Sequence, residues 1–167
     1  MTADDRKQRL HRLDRMFYRT PIYFVTTCTN KRRAILAREP VHEAFIRFAE
    51  KGEQHGACTG GYVLMPDHLH AFVGMDDRQI DLSGWMKSLK NTLSKTLRFD
   101  GIAAPHWQKD FFDHVLRSQE SYQEKWDYVR ENPVRAGLVK RWQDWPFSGE
   151  IFDLRYQADW RRGIRRS

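Results

Sequence analysis

Cysteine is nearly absent from the sequence, which has 167 residues and 2 cysteines, Cys28 and Cys58. Two cysteines so far apart match neither a disulfide framework nor the paired spacing of a zinc site. Long apolar runs are also absent, since none approaches the ~20 residues that span a bilayer. The first residues, MTADDRKQRLHRLDR, are charged throughout, unlike a signal peptide. We therefore expect a cytoplasmic protein with no membrane partner.

Acidic residues are outnumbered, because 22 Asp and Glu face 29 Lys and Arg, for a net charge of +7. Such an excess favours a polyanionic partner, most often nucleic acid. The positive charge is concentrated at the two ends of the chain, which predicts a basic arm at 1–16 and a basic tail at 151–167. No Walker-type glycine loop is present, so a nucleotide cofactor is not expected.

The middle of the chain alternates between strand and helix patterns. β-branched and aromatic residues predict strands at 21–29, 57–65, 68–75 and 111–117. The short turn at Pro66-Asp67 predicts that the second and third of these strands form an antiparallel hairpin. Apolar residues at helical spacing predict helices at 39–55 and 81–99, and a third helix that starts at an N-cap, Ser118, and ends near Pro133. This order predicts one α+β domain over 17–150. We expect a ferredoxin-like β-α-β-β-α-β sandwich, with an antiparallel sheet, helices on one face, a further C-terminal helix and the second face free for ligands.

His68 and His70 lie two positions apart on a predicted strand. Side chains alternate across a strand, so both imidazoles are expected on one face while Leu69 points into the core. Two neutral imidazoles on a rigid strand make half of a site for a divalent metal. Histidine pairs at this spacing also occur by chance, so the pattern alone favours an ordinary surface pair.

Tyr128 lies on the third predicted helix but away from its apolar stripe. Tyr122, Trp126 and Val129 are spaced for burial, whereas Tyr128 is about 200° from Trp126 at ~100° per residue. Asn132 follows one turn after Tyr128 and is expected on the same face. The pair offers a hydroxyl and an amide oxygen together. A structural interpretation, with Tyr128 at the edge of the core and Asn132 ending the helix, is equally open.

Several motifs in order carry a resemblance to a known family. They are Met65-Pro-Asp-His-Leu-His70, Trp107-Gln108, Phe112-Asp-His-Val-Leu-Arg117, Asp127-Tyr-Val-Arg-Glu-Asn-Pro-Val-Arg-Ala-Gly-Leu-Val139 and Asp144-Trp-Pro-Phe-Ser148. Over roughly residues 17–150 the chain resembles the REP-associated tyrosine transposases, within the single-tyrosine HUH superfamily. REP denotes a repetitive extragenic palindrome, a short DNA element that forms a hairpin.

The resemblance implies a role for individual residues. His68 and His70 match the histidines that bind a divalent metal, Mg²⁺ or Mn²⁺, and Asn132 matches the position that completes this metal site. Tyr128 matches the nucleophile that cleaves single-stranded DNA beside a hairpin and forms a 5′-phosphotyrosine. Asp113, His114 and Arg117 match a family block without assigned roles. Family members of this kind favour a monomer with the tyrosine in cis.

Candidate DNA-binding residues follow from the basic excess and the resemblance, because cations contact phosphates and aromatic rings stack on bases. They are Arg12, Arg15, Arg19, Lys31, Arg32, Arg33, Lys87, Lys90, Trp107, Arg117 and Arg135. Two other functions remain open: a non-catalytic protein that binds nucleic-acid hairpins on the same fold, and an RNA-binding module. The strands lack the paired exposed aromatics of RNA-recognition modules, which disfavours the last.

Overall fold

The structure is a computed structural model that describes residues 21–76, 78–116 and 119–154. The helices and strands in chain order are β1 (Ile22–Cys28), α1 (Glu39–Gly52), β2 (Ala57–Leu64), β3 (His68–Met75), α2 (Leu82–Phe99), β4 (Phe112–Leu116), α3 (Gln119–Arg130), α4 (Asn132–Arg135) and β5 (Ser148–Glu150). Some sequence predictions fall outside the described residues. They are the arm at 1–16, the N-cap at Ser118, and the DNA-binding residues Arg12, Arg15, Arg19 and Arg117.

The five strands form one sheet in the order β4-β1-β3-β2-β5, with antiparallel neighbours throughout. The hairpin predicted between β2 and β3 is present, and Leu64 pairs with Leu69 next to its turn. The α+β class with an antiparallel sheet is therefore confirmed. No helix in the described part of the chain is long and apolar enough to cross a bilayer.

Helices α1 and α2 cover the first face of the sheet. Each buries an apolar stripe, which includes Val41 and Phe45 on α1 and Trp85 and Leu89 on α2, against side chains such as Leu69. Asp81 precedes helix α2 and caps it, because its carboxylate accepts a hydrogen bond from the Gly84 amide. This layer is the larger of the two hydrophobic cores.

The second face was expected to be free, and this expectation is wrong, because α3 packs on it. Tyr122, Trp126 and Val129 are 2%, 7% and 2% exposed, which confirms the predicted apolar stripe. They join Phe24 and Phe72 of the sheet in a second hydrophobic core. The apolar residues on this face of the strands require a cover, since an open patch of this kind would be costly in water. Only the part of the face beside α3 is left for a ligand.

Two successive glycines in β2 let α3 come close to the sheet. A Cβ atom built on Gly61 would lie 2.9 Å from the ring of Trp126, and one on Gly60 would lie 2.6 Å from Leu154. Real Cβ atoms do not approach neighbours this closely, so a side chain at either position would push α3 or the residues after β5 away. The glycine pair therefore sets the height of α3 above the sheet.

The domain continues past residue 150, where the basic tail was predicted to begin. The amide of Ile151 bonds to the carbonyl of Gly60, and the amide of Phe152 bonds to that of Thr59. Leu154 is 1% exposed and belongs to the second core. The boundary at 150 is thus corrected to at least Leu154, because apolar side chains at 151, 152 and 154 contribute to packing. The remaining part of the tail, 155–167, lies outside the described residues.

Candidate functional site

Strand β3 places His68 and His70 side by side on the second face of the sheet. Leu69 between them is fully buried in the first core, as the alternation predicts. The two imidazole rings are 4.8 Å apart between centroids and nearly perpendicular, at 81°. Phe24 stacks against the ring of His70 at 5.4 Å and 20°, which restricts its orientation. The pair therefore forms a small rigid cluster beside the second core.

Each histidine uses its Nδ1 atom in a hydrogen bond to the protein. His68 Nδ1 donates to the Asp67 carboxylate at 2.7 Å, because an ionised carboxylate can only accept. His70 Nδ1 lies 2.7 Å from the Thr26 hydroxyl, which can accept its proton. Neither Nε2 atom has a hydrogen-bond partner among the described residues. The Asp67 bond favours the tautomer of His68 that leaves Nε2 unprotonated, the arrangement found in metal-binding histidines, and the Thr26 bond permits the same tautomer of His70.

Arg32 forms an ion pair with the Asp67 carboxylate that bonds to His68. Its Nε donates to Asp67 at 2.8 Å and its Nη1 to the Cys28 sulfur at 2.7 Å, while its Nη2 lies 3.4 Å from His68 Nδ1. Lys31 and Arg32 both have positive φ angles, 53° and 56°, a region that non-glycine residues rarely adopt. This unfavourable backbone turns the Arg32 side chain toward the histidine pair. Backbone strain of this kind is concentrated at functional sites.

Burial lowers the pKa of His70 to about 3, and nearby basic side chains push it in the same direction. Those side chains are His68, Lys125, Arg135 and Arg32. His70 is therefore neutral at pH 7, which is the form that binds a metal. Partial burial raises the pKa of Asp67, but the His68 hydrogen bond and the charges of His68 and Arg32 outweigh it, so the net shift is downward.

Tyr128 projects from α3 and is 61% exposed, as its position off the apolar stripe predicts. The guanidinium of Arg135 lies 3.9 Å above the centre of its ring. The same guanidinium donates a hydrogen bond to Asn132 Oδ1 at 2.6 Å. Helix α3 ends at Arg130 and α4 begins at Asn132, so the expectation of one continuous helix is corrected. Tyr128 and Asn132 are connected by Arg135 rather than by helical periodicity alone.

The residues fit a divalent metal by their chemistry. Two imidazoles offer Nε2 atoms on one face, and Asn132 carries an amide oxygen that accepts a hydrogen bond from Arg135, whose charge helps to lower the pKa of His70. The described residues contain no group of three or more His, Cys, Asp and Glu side chains that could hold a metal. A site here would therefore be completed by the amide, by water and by ligand oxygens, which leaves open coordination positions.

The other predicted DNA-binding residues differ in how their side chains are engaged. Arg33 donates to the carbonyls of Ala103 and Pro105, and Lys90 donates to the carbonyl of Gln108. The half-buried Trp107 packs against the first core, and its indole N–H donates to Ser94. These contacts favour structural roles for Arg33, Lys90 and Trp107. Lys31 and Lys87 are exposed, and Lys87 belongs to α2 on the first face.

Sequence reasoning missed the residues that orient the histidines. Asp67 was interpreted only as part of the turn before β3, and Thr26 only as a β-branched residue of β1. The signal for Asp67 was its position directly before His68. Thr26 gives no local signal, because its contact with His70 comes from the antiparallel register that pairs the two residues across strands.

Comparisons with known proteins agree with this architecture. The family model described as "Transposase IS200 like" matches residues 18–131. A REP-associated tyrosine transposase of Escherichia coli K12 is 30% identical over 102 residues, which cover 59% of this chain and 59% of that relative. A Haemophilus influenzae protein to which the same name is provisionally given is 24% identical over 163 residues, covering 87% and 90% of the two chains.

The fold also occurs in a solved structure, that of a REP-associated tyrosine transposase bound to a REP hairpin. The two chains superpose with a TM-score of 0.63 at 24% identity, over 80% of this chain and 88% of the other.

Proposed function

The chain belongs to the family of IS200-like transposases, and on that premise we propose that it is a metal-dependent endonuclease and strand transferase for single-stranded DNA. It binds a hairpin-forming palindrome and cleaves the unpaired strand beside it. The net charge of +7 supports a DNA partner, and relatives of this chain are named for REP elements. A similar fold in another protein carries a REP hairpin.

Tyr128 is the proposed nucleophile. Its hydroxyl oxygen attacks the scissile phosphorus and releases its proton to solvent, so that a bond forms between the tyrosine oxygen and phosphorus. The bond from phosphorus to the 3′ oxygen breaks, and that oxygen takes up a proton from solvent and leaves as a 3′-hydroxyl. The product is a 5′-phosphotyrosine, which keeps the energy of a phosphodiester, so a 3′-hydroxyl can reverse the reaction without ATP.

His68, His70 and Asn132 are the proposed ligands of a Mg²⁺ or Mn²⁺ ion, through the two Nε2 atoms and the amide oxygen. Such an ion, when bound, supplies charge stabilisation to the phosphate and to the departing oxygen. The role of the chain is to hold the ligands in place. Asp67 and Thr26 do so by bonding to the Nδ1 atoms, and Phe24 does so by stacking on His70.

The observation that carries the proposal is the position of α3. It packs on the sheet face that bears the histidine pair, and Arg135 contacts Tyr128 and Asn132 while its charge acts on His70. The proposed nucleophile and the proposed metal ligands therefore belong to one chain and to the same side of its sheet. This arrangement supports a monomer that acts in cis. The two free cysteines support a location in the reducing cytoplasm.

The decisive test replaces Tyr128 with Phe and incubates the protein with labelled hairpin DNA, carrying a single-stranded flank, and Mn²⁺. We expect no cleavage and no protein–DNA adduct under denaturing conditions, with hairpin affinity close to that of wild type. Only an exposed oxygen is removed, so the free energy of unfolding should hardly change.

Tyr122→Phe is the matched control on the same helix. Its hydroxyl is buried and accepts from the Gly61 amide, so this variant should lose stability yet still form the adduct. Normal cleavage by Tyr128→Phe would refute the mechanism. Tight hairpin binding by a wild-type protein that never forms an adduct would instead favour the non-catalytic hairpin-binding protein.

A further inference from the structure

Phe112 is an apolar side chain of the edge strand β4 that the fold leaves exposed to water. It is 60% exposed, although most large apolar side chains of the described residues are buried. The preceding Phe111 packs against the first core, under the Lys90 ammonium at 5.9 Å. Of the two adjacent phenylalanines, Phe111 therefore contributes to the core and Phe112 does not. The Phe112 ring is therefore not used in packing and is accessible to a ligand.

The strand register places Phe112 in the same row as the proposed metal ligand. Phe112 pairs with Thr26 across β4 and β1, and Thr26 pairs with His70 across β1 and β3. Directly opposed residues share a face of the sheet, with Cβ atoms about 5 Å apart. The Thr26 hydroxyl reaches His70 on the second face, so Phe112 is on that face too. Its ring flanks the candidate site at the sheet edge.

A second ring and a cation extend this surface along the strand. His114 is exposed and pairs with Phe24 in the next row, also on the second face. The Lys125 ammonium of α3 lies 4.8 Å above the Phe24 ring. We name Phe112, His114 and Lys125 the edge strip. It combines two π faces with a positive charge, the combination by which proteins bind unpaired nucleic-acid bases and their phosphates.

We propose that the edge strip binds the unpaired bases of the DNA strand next to the phosphate that Tyr128 attacks, with one base stacked on Phe112. The inference deepens the proposed function and rests on it. An unpaired base is the occupant that the strip favours, because it presents a flat π face joined to an anionic phosphate. A hairpin stem keeps its bases stacked inside the helix, so the strip distinguishes the single-stranded flank from the stem.

The test compares two DNA hairpins with the same stem, one blunt and one with a single-stranded flank. A 2-aminopurine in the flank reports stacking by its fluorescence. Phe112→Ala should bind the flanked hairpin about tenfold more weakly than wild type does and leave the blunt hairpin unaffected. Phe112→Trp should retain the affinity and quench the 2-aminopurine at least as strongly.

Phe99→Ala is the matched control, because Phe99 is 93% exposed at the end of α2 and lies outside the edge strip. It should leave both affinities unchanged. Equal affinity of Phe112→Ala and wild type for the flanked hairpin would overturn the inference. So would equal weakening for both hairpins, which would point to a general fold defect or a stem contact.

Failure of the inference and failure of the proposed function give different results. A wild-type protein that forms the Tyr128 adduct but shows no effect of Phe112 refutes only the edge strip. A protein that depends on Phe112 for the flank but forms no adduct refutes only the catalytic part of the proposed function. A wild-type protein that binds neither hairpin refutes both.

Discussion

His106 and His70 are two histidines with little exposure to solvent, and they differ in whether the second ring nitrogen has a hydrogen-bond partner. His106, beside α2, is 3% exposed and has both nitrogens bonded, Nδ1 to the Ser94 hydroxyl at 3.0 Å and Nε2 to the Ile102 carbonyl at 2.9 Å. His70, on the second face, has only Nδ1 bonded among the described residues. A fully bonded histidine serves packing, whereas a half-bonded one in a fixed orientation is prepared for a ligand.

The same difference extends to the surroundings of the two histidines. Beside His106, the indole N–H of Trp107 also donates to Ser94, so the polar groups satisfy one another. Around His68 and His70, positive charge accumulates from Arg32, Lys125 and Arg135. Cationic groups placed around the histidine pair favour an anionic ligand such as a phosphate. The polar groups of the first region bond to one another, whereas the second region gathers positive charge around two Nε2 atoms that have no hydrogen-bond partner among the described residues.

The largest effect is expected from replacing the histidines themselves. His70→Ala should abolish Mn²⁺ binding, measured by titration calorimetry, and DNA cleavage, because half of the imidazole pair is lost. Hairpin affinity should persist, since phosphate contacts dominate it. His106→Ala should leave Mn²⁺ binding intact and lower the free energy of unfolding by roughly 1–3 kcal/mol, because buried partners lose their bonds. Equal Mn²⁺ affinity in both variants would remove the distinction between the two histidines.

The next largest effect concerns the carboxylate behind His68. Asp67→Asn replaces an acceptor with an amide that can present a donor to Nδ1, so the tautomer of His68 is no longer fixed. Metal affinity should fall by about 10–100-fold with little change in thermal stability. Asp144→Asn is the control, because Asp144 pairs with Arg141 on the surface far along the chain. Unchanged Mn²⁺ affinity in Asp67→Asn would show that Asp67 has no positioning role.

A smaller effect, mainly on stability, is expected at Gly60 and Gly61, the glycine pair on which α3 packs. Gly61→Ala places a methyl group 2.9 Å from the Trp126 ring and should lower the free energy of unfolding by about 1–3 kcal/mol. Adduct formation should fall more than hairpin affinity, because Tyr128 moves with α3. Gly149→Ala, whose new methyl meets the Tyr62 hydroxyl at 3.1 Å, should be milder. Denaturant titration and adduct yield measure both outcomes.

The smallest effect is expected at Arg135. Arg135→Ala removes the cation above the Tyr128 ring and the bond to Asn132, both on an exposed surface. An exposed cation–π contact contributes about 0.5–1 kcal/mol, so the rate of adduct formation should fall severalfold. Arg141→Ala removes another surface arginine and should not change the rate. Equal rates in the two variants would show that Arg135 does not position Tyr128.

Local patterns were sufficient for much of the fold and for part of the site. Alternation along β3 placed His68 and His70 on one face, and helical spacing placed Tyr128 off the buried stripe; both follow from backbone geometry alone. The hairpin between β2 and β3 and the α+β class were also predicted from residue patterns. The roles of His68, His70, Asn132 and Tyr128 came from the resemblance to a family and remain predictions that the experiments above test.

Tertiary structure alone decided which groups meet. Local periodicity assigned α3 an apolar stripe but not the sheet face that it covers, which is the face that bears the histidine pair. The contacts of Thr26 with His70 and of Arg32 with Asp67 join residues far apart in the chain. Tertiary structure also placed Arg33, Lys90 and Trp107 in hydrogen bonds within the domain. The physical reason is that a residue's periodicity depends on its neighbours in sequence, whereas its partner depends on the packing of the entire domain.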